Sequence, residues 1–304
     1  MTGIEPARLR EVADGVFAYL QPNGGWGLNN AGVVTGGGTT LVVDTAATEA
    51  RAHALRAAVA RVSRRPARIV VNTHHHGDHT HGNFVFAPDA VVMAHDAARD
   101  EIVSRGLAMT QVWPEVDWGR LRPHPPELTF GDRIRIRLGE RAVELIHVGP
   151  GHTTNDVIVW LPDDGVLFAG DLVVPGCTPY VQMGSLRGSL AALDVMAELG
   201  PRVIVGGHGP VAGPRAIEDT RAYLRWVREL ATSGQQAGRS PLETALGAGA
   251  GDFRDLVDPE RLVANLHRAY AEDRGVPAGA GVRSAETFRD MITFNGGRYP
   301  VCLA

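Results

Sequence analysis

The sequence has few cysteines and no long apolar segment. Its 304 residues include two cysteines, Cys177 and Cys302, which leaves a single disulfide open and excludes a disulfide-stapled scaffold. No apolar run approaches the roughly 18–20 residues needed to span a bilayer, and the N-terminal residues lack the apolar core of a signal peptide. We therefore expect a soluble, cytoplasmic protein that does not act at a membrane.

Positive charge is not concentrated anywhere along the chain. The formal net charge is -4, and the basic residues are scattered arginines with one short run at Arg64–Arg65. A solvated helix end explains that run better than a phosphate-binding site does, so a nucleic-acid partner is not expected. Hydrophobic residues make up 44% and charged residues 21%, which is the balance of an ordinary globular protein.

Predicted strands and helices alternate in the order of an α/β domain. A hairpin is predicted at 31–45, a helix at 47–62 and a buried strand of β-branched residues at 67–73, which is the order of a βαβ unit. Further strands follow up to about residue 209, and helical segments take over after Pro214. We predict a main α/β domain over residues 1–213 and a helical extension over 214–304 that packs on the same domain.

Histidines are concentrated directly after the strand at 67–73. The segment THHHGDHTHGN, residues 73–83, holds five of the twelve histidines of the chain. His74, His76, Asp78 and His79 form the pattern H-x-H-x-D-H. Two histidines two residues apart on an extended segment point the same way, and imidazole together with carboxylate suits zinc and similar divalent ions. The segment therefore predicts metal binding.

Three further side chains of metal-binding type follow apolar strands. His152 lies in GPGHTTND, Asp171 in FAGD and His208 in GGHGP, and glycine stands close to each of them. Glycine permits the sharp turns and the close backbone approach that such a site needs. Because strand ends are where α/β folds usually place their chemistry, these three residues are predicted to join the first cluster.

The motifs HHHGDH, GHT, FAGD and GGHG, in this order and at these spacings, resemble those of the metallo-β-lactamase superfamily. The resemblance covers roughly residues 8–213. It implies an α/β fold, a four-layered αββα sandwich with a binuclear metal site at one edge, here with additional C-terminal helices.

Carried over motif by motif, the resemblance also implies the ligand sets. His74, His76 and His152 would hold one divalent ion, Asp78, His79 and His208 would hold the second, and Asp171 would bridge the two. Zinc is expected, with iron or manganese as alternatives, because this ligand set accepts all three. The two ions would share a water and lower its pKa to give a bridging hydroxide, which Asp78 would orient as the catalytic carboxylate. His75 and His81 are expected to lie off the metals.

The residue at the bridging position favours an ester or thioester hydrolase. Many β-lactamases of the family have Cys or Ser after the FAG motif, whereas thioesterases, glyoxalase II-like enzymes and lactonases have Asp, as Asp171 is here. The resemblance thus implies hydrolysis of an ester or thioester carbonyl. The segments NGGWGLNNAG and TPYVQMGS are similar to those of actinobacterial members of the superfamily, some of which act as thioesterase-cyclases on carrier-protein-bound aromatic polyketides. A lactonase or β-lactamase-type hydrolase and a non-catalytic metal-binding scaffold are the alternatives.

Two loops are predicted to recognise the substrate. Trp26 stands among glycines, so it is either a mobile apolar lid over the site or an aromatic anchor of its loop. The segment 177–185 is predicted to line the substrate side through Tyr180, Gln182 and Met183, with Cys177 buried. The expected partner is a small-molecule or carrier-protein-bound acyl substrate, and a homodimer is among the expected assemblies.

Overall fold

A computed structural model describes residues 6–249, 251–280, 282 and 284–304, and in these residues the strands form two sheets. The first sheet has seven strands in sequential order, β1 (Arg8–Ala13), β2 (Val16–Leu20), β3 (Ala31–Gly36), β4 (Thr39–Val43), β5 (Ile69–Val71), β6 (Val91–His95) and β7 (Leu128–Phe130). Strands β1 to β4 pair antiparallel, and β4 to β7 pair parallel.

The second sheet has five strands in the spatial order β12-β11-β10-β9-β8. They are β8 (Arg133–Leu138), β9 (Arg141–His147), β10 (Val157–Leu161), β11 (Val166–Gly170) and β12 (Val203–Gly206). Strands β8 to β11 pair antiparallel, whereas β12 pairs parallel with β11.

Helices cover the outer faces of both sheets and the loops between strands. They are α1 (Glu49–Val62), α2 (Gly77–Thr80), α3 (Asn83–Phe86), α4 (Asp96–Arg105), α5 (Met109–Val112), α6 (Leu186–Leu199), α7 (Arg215–Gln236), α8 (Pro241–Ala248), α9 (Arg261–Asp273) and α10 (Ser284–Phe294). None of these described helices combines the length and the apolarity that crossing a membrane requires.

Three apolar clusters hold the layers together. Successive side chains of a strand point to opposite faces, so Leu41 and Val43 of β4 lie between the sheets while Val42 faces α1. The cluster between the sheets joins residues such as Leu41 to Phe168 of β11, and the cluster under α1 includes Leu55. The third cluster packs α6, α7 and α9 on the outer face of the second sheet. This confirms the αββα sandwich with additional C-terminal helices.

The helices after residue 213 share a core with the second sheet. Tyr223 of α7 and Leu262 of α9 belong to the same apolar cluster as Leu193 of α6 and Leu167 of β11. The division of the chain at residue 213 stays a prediction, but the segment after it is packed on the sandwich through buried side chains.

Candidate metal centre

All seven predicted metal ligands meet at one edge of the sandwich, because strand ends deliver them there. His74 and His76 follow β5, and α2 then places Asp78 and His79 in its only turn. Asp171 follows β11 directly. The backbone at Gly207 passes close to the Asp171 carboxylate. A Cβ atom at position 207 would lie 1.9 Å from Oδ1 of Asp171, so a residue other than glycine there would displace that carboxylate.

The ligands form two groups around the Asp171 carboxylate. His74, His76, His152 and Asp171 each offer an atom within 4.8 Å of the others, and so do Asp78, His79 and His208. Asp171 reaches both groups, since Oδ2 lies 3.4 Å from Nε2 of His152 and Oδ1 lies 3.2 Å from Nε2 of His79. Its position between the groups is the one that a bridging ligand needs.

The spacing of most of these atoms fits divalent cations better than direct hydrogen bonds; the exception is Nε2 of His152, which lies 2.9 Å from Nδ1 of His76. Ligand atoms about 2.0–2.1 Å from a tetrahedral zinc ion lie about 3.3–3.4 Å apart, whereas charge-assisted hydrogen bonds are about 2.7–2.9 Å long. Nε2 of His208 lies 3.3 Å from Oδ2 of Asp78 and 3.4 Å from Oδ2 of Asp171. Within the described part of the chain, Nε2 of His74, Nε2 of His79 and Oδ1 of Asp171 are buried without a hydrogen-bond partner. The donor set therefore fits two metal ions.

The electrostatics of the site keep its acids ionised. Burial alone would raise the pKa of Asp171, but the imidazoles of His208, His79 and His152 hold that pKa well below its usual value. Burial likewise opposes ionisation of Asp78, whose pKa is nevertheless lowered by His79 and His208. Burial would also lower the pKa of His208, yet Asp171 and Asp78 raise it to about 9. Two buried negative charges thus stand where cations would neutralise them.

Asp44, which the motifs did not identify, hydrogen-bonds to Thr73 and to the predicted ligand His79. It directly follows β4, is 2% exposed and receives hydrogen bonds from the backbone N–H and the hydroxyl of Thr73, both at 2.7 Å. Its Oδ2 lies 2.9 Å from Nδ1 of His79, which leaves Nε2 of that imidazole to face the centre. A carboxylate behind a ligand histidine fixes the ring orientation and raises its basicity. The sequence signal is the segment LVVD, in which Asp44 directly follows an apolar strand, as Asp171 does in FAGD.

A cavity of about 310 Å³ opens onto the ligand cluster. Its floor includes His76, Asp78, His152, Asp171 and His208. Its walls are mostly apolar and come from segments far apart in the chain, namely Trp26, Met109, Val112, Trp113, Tyr180, Met183, Phe288 and Met291. A mostly apolar cavity with a polar, reactive floor has the form of a small-molecule site.

Trp26 lines this cavity as a fixed wall. Its Nε1 donates to Oε1 of Glu260 at 2.8 Å, its backbone N–H donates to Asp258 at 3.0 Å, and the Arg261 guanidinium lies 4.1 Å from the ring centroid. These contacts favour the anchor over the mobile lid. The glycines beside it allow close packing, since a Cβ on Gly24 would lie 2.5 Å from the backbone nitrogen of Gly209.

The three predicted substrate residues of the loop after β11 all line the cavity. The Tyr180 hydroxyl donates to Oε1 of Gln182, which leaves Nε2 of that amide buried and, among the described residues, without a partner. Sδ of Met183 lies 3.2 Å from Nε2 of His76. Cys177 is buried on the far side of the loop, and it and Cys302 are free thiols in the described structure.

His75 and His81 lie outside both ligand groups and also border the cavity. Nδ1 of His75 faces the side-chain amide of Asn155 at 3.1 Å, and Nδ1 of His81 lies 3.3 Å from the backbone carbonyl of Ala47. Both imidazoles are thus held by other parts of the protein.

Comparison with known proteins agrees with this geometry. Residues 24–208 match the metallo-β-lactamase superfamily. The chain is 29% identical over 182 residues to the 2,4-dinitroanisole O-demethylase subunit alpha of Nocardioides sp. (strain JS1661), covering 57% of this chain and 47% of that protein. It is 28% identical over 182 residues to the acyl-coenzyme A thioesterase MBLAC2 of Homo sapiens, covering 53% of this chain and 63% of that protein.

A solved structure shows the same fold. A metallo-β-lactamase from Pontibacter korlensis superposes with a TM-score of 0.62 at 18% identity, covering 72% of this chain and 99% of that chain. The matches to the two relatives span roughly half to two thirds of their own length. With the family match, the sandwich and the two ligand groups in agreement, the chain belongs to the metallo-β-lactamase superfamily.

Proposed function

We propose that this protein hydrolyses the ester or thioester bond of a substrate with a bulky apolar acyl group. The observation that carries the proposal is the cavity, whose aromatic and thioether walls stand directly over the ligand cluster. Apolar side chains around a reactive floor bind an acyl group by removing its surface from water. The acyl-coenzyme A thioesterase among the relatives supports the same reaction class.

The roles of the protein's own groups follow from their positions. Two divalent cations held by the seven ligands would supply Lewis acidity and an activated water. Asp78 is ionised and borders the cavity, so its carboxylate accepts a hydrogen bond from the attacking water and orients it. Gln182 borders the cavity beside the ligand cluster, so its side chain is placed to contact the substrate. The aromatic walls exclude bulk water from the acyl group.

The carrier-bound polyketide is a finer version of this proposal. Four aromatic side chains border the cavity, and flat rings stack well on such walls. This supports an aromatic acyl group and leaves the carrier and the cyclisation as predictions. Lactone and β-lactam hydrolysis stay the alternatives. The likeness to a solved β-lactamase supports the shared fold and does not favour β-lactam hydrolysis over the other reactions.

A series of acyl thioesters of one thiol tests the proposal. With zinc present, we expect kcat/KM to rise by up to about fourfold per added methylene until the cavity is filled, because burying a methylene contributes about 0.8 kcal/mol. Naphthoyl thioesters should react faster than acetyl thioesters, and matched oxygen esters and a chromogenic β-lactam serve as comparisons. A rate independent of acyl size, or fastest turnover of the β-lactam, would contradict the proposal.

Trp26→Ala should weaken binding of bulky substrates selectively. Loss of the aromatic contact with a buried acyl group costs about 1.5–3 kcal/mol, so KM for long-chain or aromatic thioesters should rise about 10- to 150-fold. The acetyl thioester, which does not reach the ring, should react as before, and the metal content should not change.

Two further variants separate the wall from the anchor. Trp26→Phe keeps an aromatic surface and removes the hydrogen bond to Glu260, so it should retain selectivity at some cost in stability. Trp226→Ala removes a partly buried Trp that packs against Phe253 and does not border the cavity, so it should leave the KM ratio unchanged. Equal losses for large and small thioesters in Trp26→Ala would show that Trp26 serves only the fold.

A further inference from the structure

A row of polar side chains on α9 is buried against the loop that follows β11. Arg261, Asn265 and Arg268 are spaced four and three residues apart, so they share one face of the helix. They are 3%, 0% and 0% exposed, respectively. Burying polar groups is costly unless they form hydrogen bonds, so the partners of this row explain why it is buried.

All three side chains bond to backbone groups of residues 178–184, and the two arginines also bond to Asp258, Pro277 and Ala280. Four hydrogen bonds connect the helix to this loop: Arg261 Nη1 to the carbonyl of Thr178 (3.1 Å), Asn265 Nδ2 to the carbonyl of Pro179 (2.7 Å), the N–H of Val181 to Oδ1 of Asn265 (2.9 Å) and Arg268 Nη1 to the carbonyl of Gly184 (3.3 Å). Asn265 therefore uses both its donor and its acceptor on the loop.

The residue between the two Asn265 contacts reaches the ligand cluster. Asn265 holds Pro179 and Val181, and the backbone carbonyl of Tyr180 between them accepts a hydrogen bond from Nδ1 of His152. That bond leaves Nε2 of His152 on the side of the ligand cluster, 2.9 Å from Nδ1 of His76 and 3.4 Å from Oδ2 of Asp171. The same loop carries the Tyr180, Gln182 and Met183 side chains to the cavity wall.

We propose that Asn265 is a positioning residue for the metal centre. By fixing the peptide units on both sides of Tyr180, it holds the carbonyl that orients the His152 imidazole toward one of the two metal positions. The C-terminal helices thereby contribute to the geometry of a site whose ligands all lie in residues 74–208. The proposal depends on metal binding at His152 and not on the identity of the substrate.

Asn265→Asp tests this with little change in shape. The carboxylate keeps an acceptor for the Val181 N–H, loses the amide donors and puts negative charge against the Pro179 carbonyl. Zinc binding to the metal-free protein is measured by competition with a chromophoric chelator. Because loss of an outer partner of a ligand typically weakens metal binding 10- to 100-fold, we expect the dissociation constant of one zinc ion to rise by about tenfold or more. That of the other ion should change much less.

Tyr223→Phe is the matched control. The Tyr223 hydroxyl lies 3.1 Å from Nδ2 of Asn265, so this variant removes a neighbouring hydrogen bond and leaves both contacts to the loop in place. It should lower the melting temperature without changing either zinc affinity. Arg261→Lys, which disrupts the bond to Thr178 with Asn265 intact, replaces Asn265→Asp if the latter does not fold, and it should also weaken one zinc ion.

The outcomes separate this proposal from the proposed function. If the wild type binds two zinc ions and the folded variants bind both with wild-type affinity, the α9 contacts serve stability only and the positioning role is wrong, while the hydrolase proposal stands. If the wild type binds neither zinc nor iron nor manganese, both proposals fail. Selective weakening of one zinc ion, absent from Tyr223→Phe, supports the positioning role.

Discussion

Asp171→Ala is expected to lower kcat/KM by about a thousandfold or more while the protein stays folded. Asp171 is the ligand shared by both groups, with an oxygen 3.2 Å from His79 and another 3.4 Å from His152. With two cations bound, its negative charge would offset the repulsion between them. Metal-ion stabilisation of charge in the transition state contributes several kcal/mol, and each 1.4 kcal/mol corresponds to about tenfold in rate. Loss of one ion therefore accounts for an effect of this size.

Metal content measured by atomic emission distinguishes a bridging role from a general loss of fold. The wild type should contain about two ions per chain and Asp171→Ala about one or fewer, with an unchanged circular dichroism spectrum. Asp89→Ala removes an acid that pairs with Arg56 at the surface, and it should keep both the metal and the rate. Two ions bound and an unchanged rate in Asp171→Ala would show that Asp171 does not bridge.

The fold was predictable from local signals. The hairpin at 31–45 is confirmed as β3 and β4, where Gly37 and Gly38 take the positive φ values of +55° and +74° that the turn between the strands requires. The helix predicted at 47–62 begins at Glu49, because the Thr48 side chain caps it by accepting from the N–H of Arg51. A strand, a turn and a helix cap each depend on residues that are close together in the chain. A single sequence is therefore enough to predict them.

The walls of the cavity could not be predicted in the same way. The partners that fix Trp26 lie 232 and 234 residues further along the chain, so its flanking glycines could not decide between a lid and an anchor. Trp113 also borders the cavity. Its Nε1 donates to the carbonyl of Pro300 at 2.8 Å, and Phe288 packs edge-on against the Trp113 ring. Such contacts arise from long-range packing, for which a single sequence shows no periodicity or motif.

The α9 contacts illustrate a second limit. Arg261, Asn265 and Arg268 lie on a helix whose polar residues would ordinarily face solvent, yet all three are buried. Their partners on the loop after β11 are backbone carbonyls and an N–H, which carry no sequence signature. Asp44 differs from them, because its place directly after an apolar strand matches that of Asp171 and could have identified it.

Removal of metal with a chelator is expected to abolish hydrolysis and to lower the melting temperature. Without cations, the buried carboxylates of Asp78 and Asp171 are neutralised only by neighbouring imidazoles such as that of His208, and the binding energy of the metal ions no longer favours the folded state. An ion present at 100 times its dissociation constant stabilises the folded protein by about 2.7 kcal/mol, so loss of two ions should be readily visible in thermal unfolding. Zinc or manganese should restore both activity and stability. Chelator saturated with zinc beforehand is the control, and it should change neither. Full activity in a verified metal-free preparation would contradict a metal-dependent mechanism, whereas lost activity with unchanged stability would indicate that the ions bind too weakly to contribute to the fold.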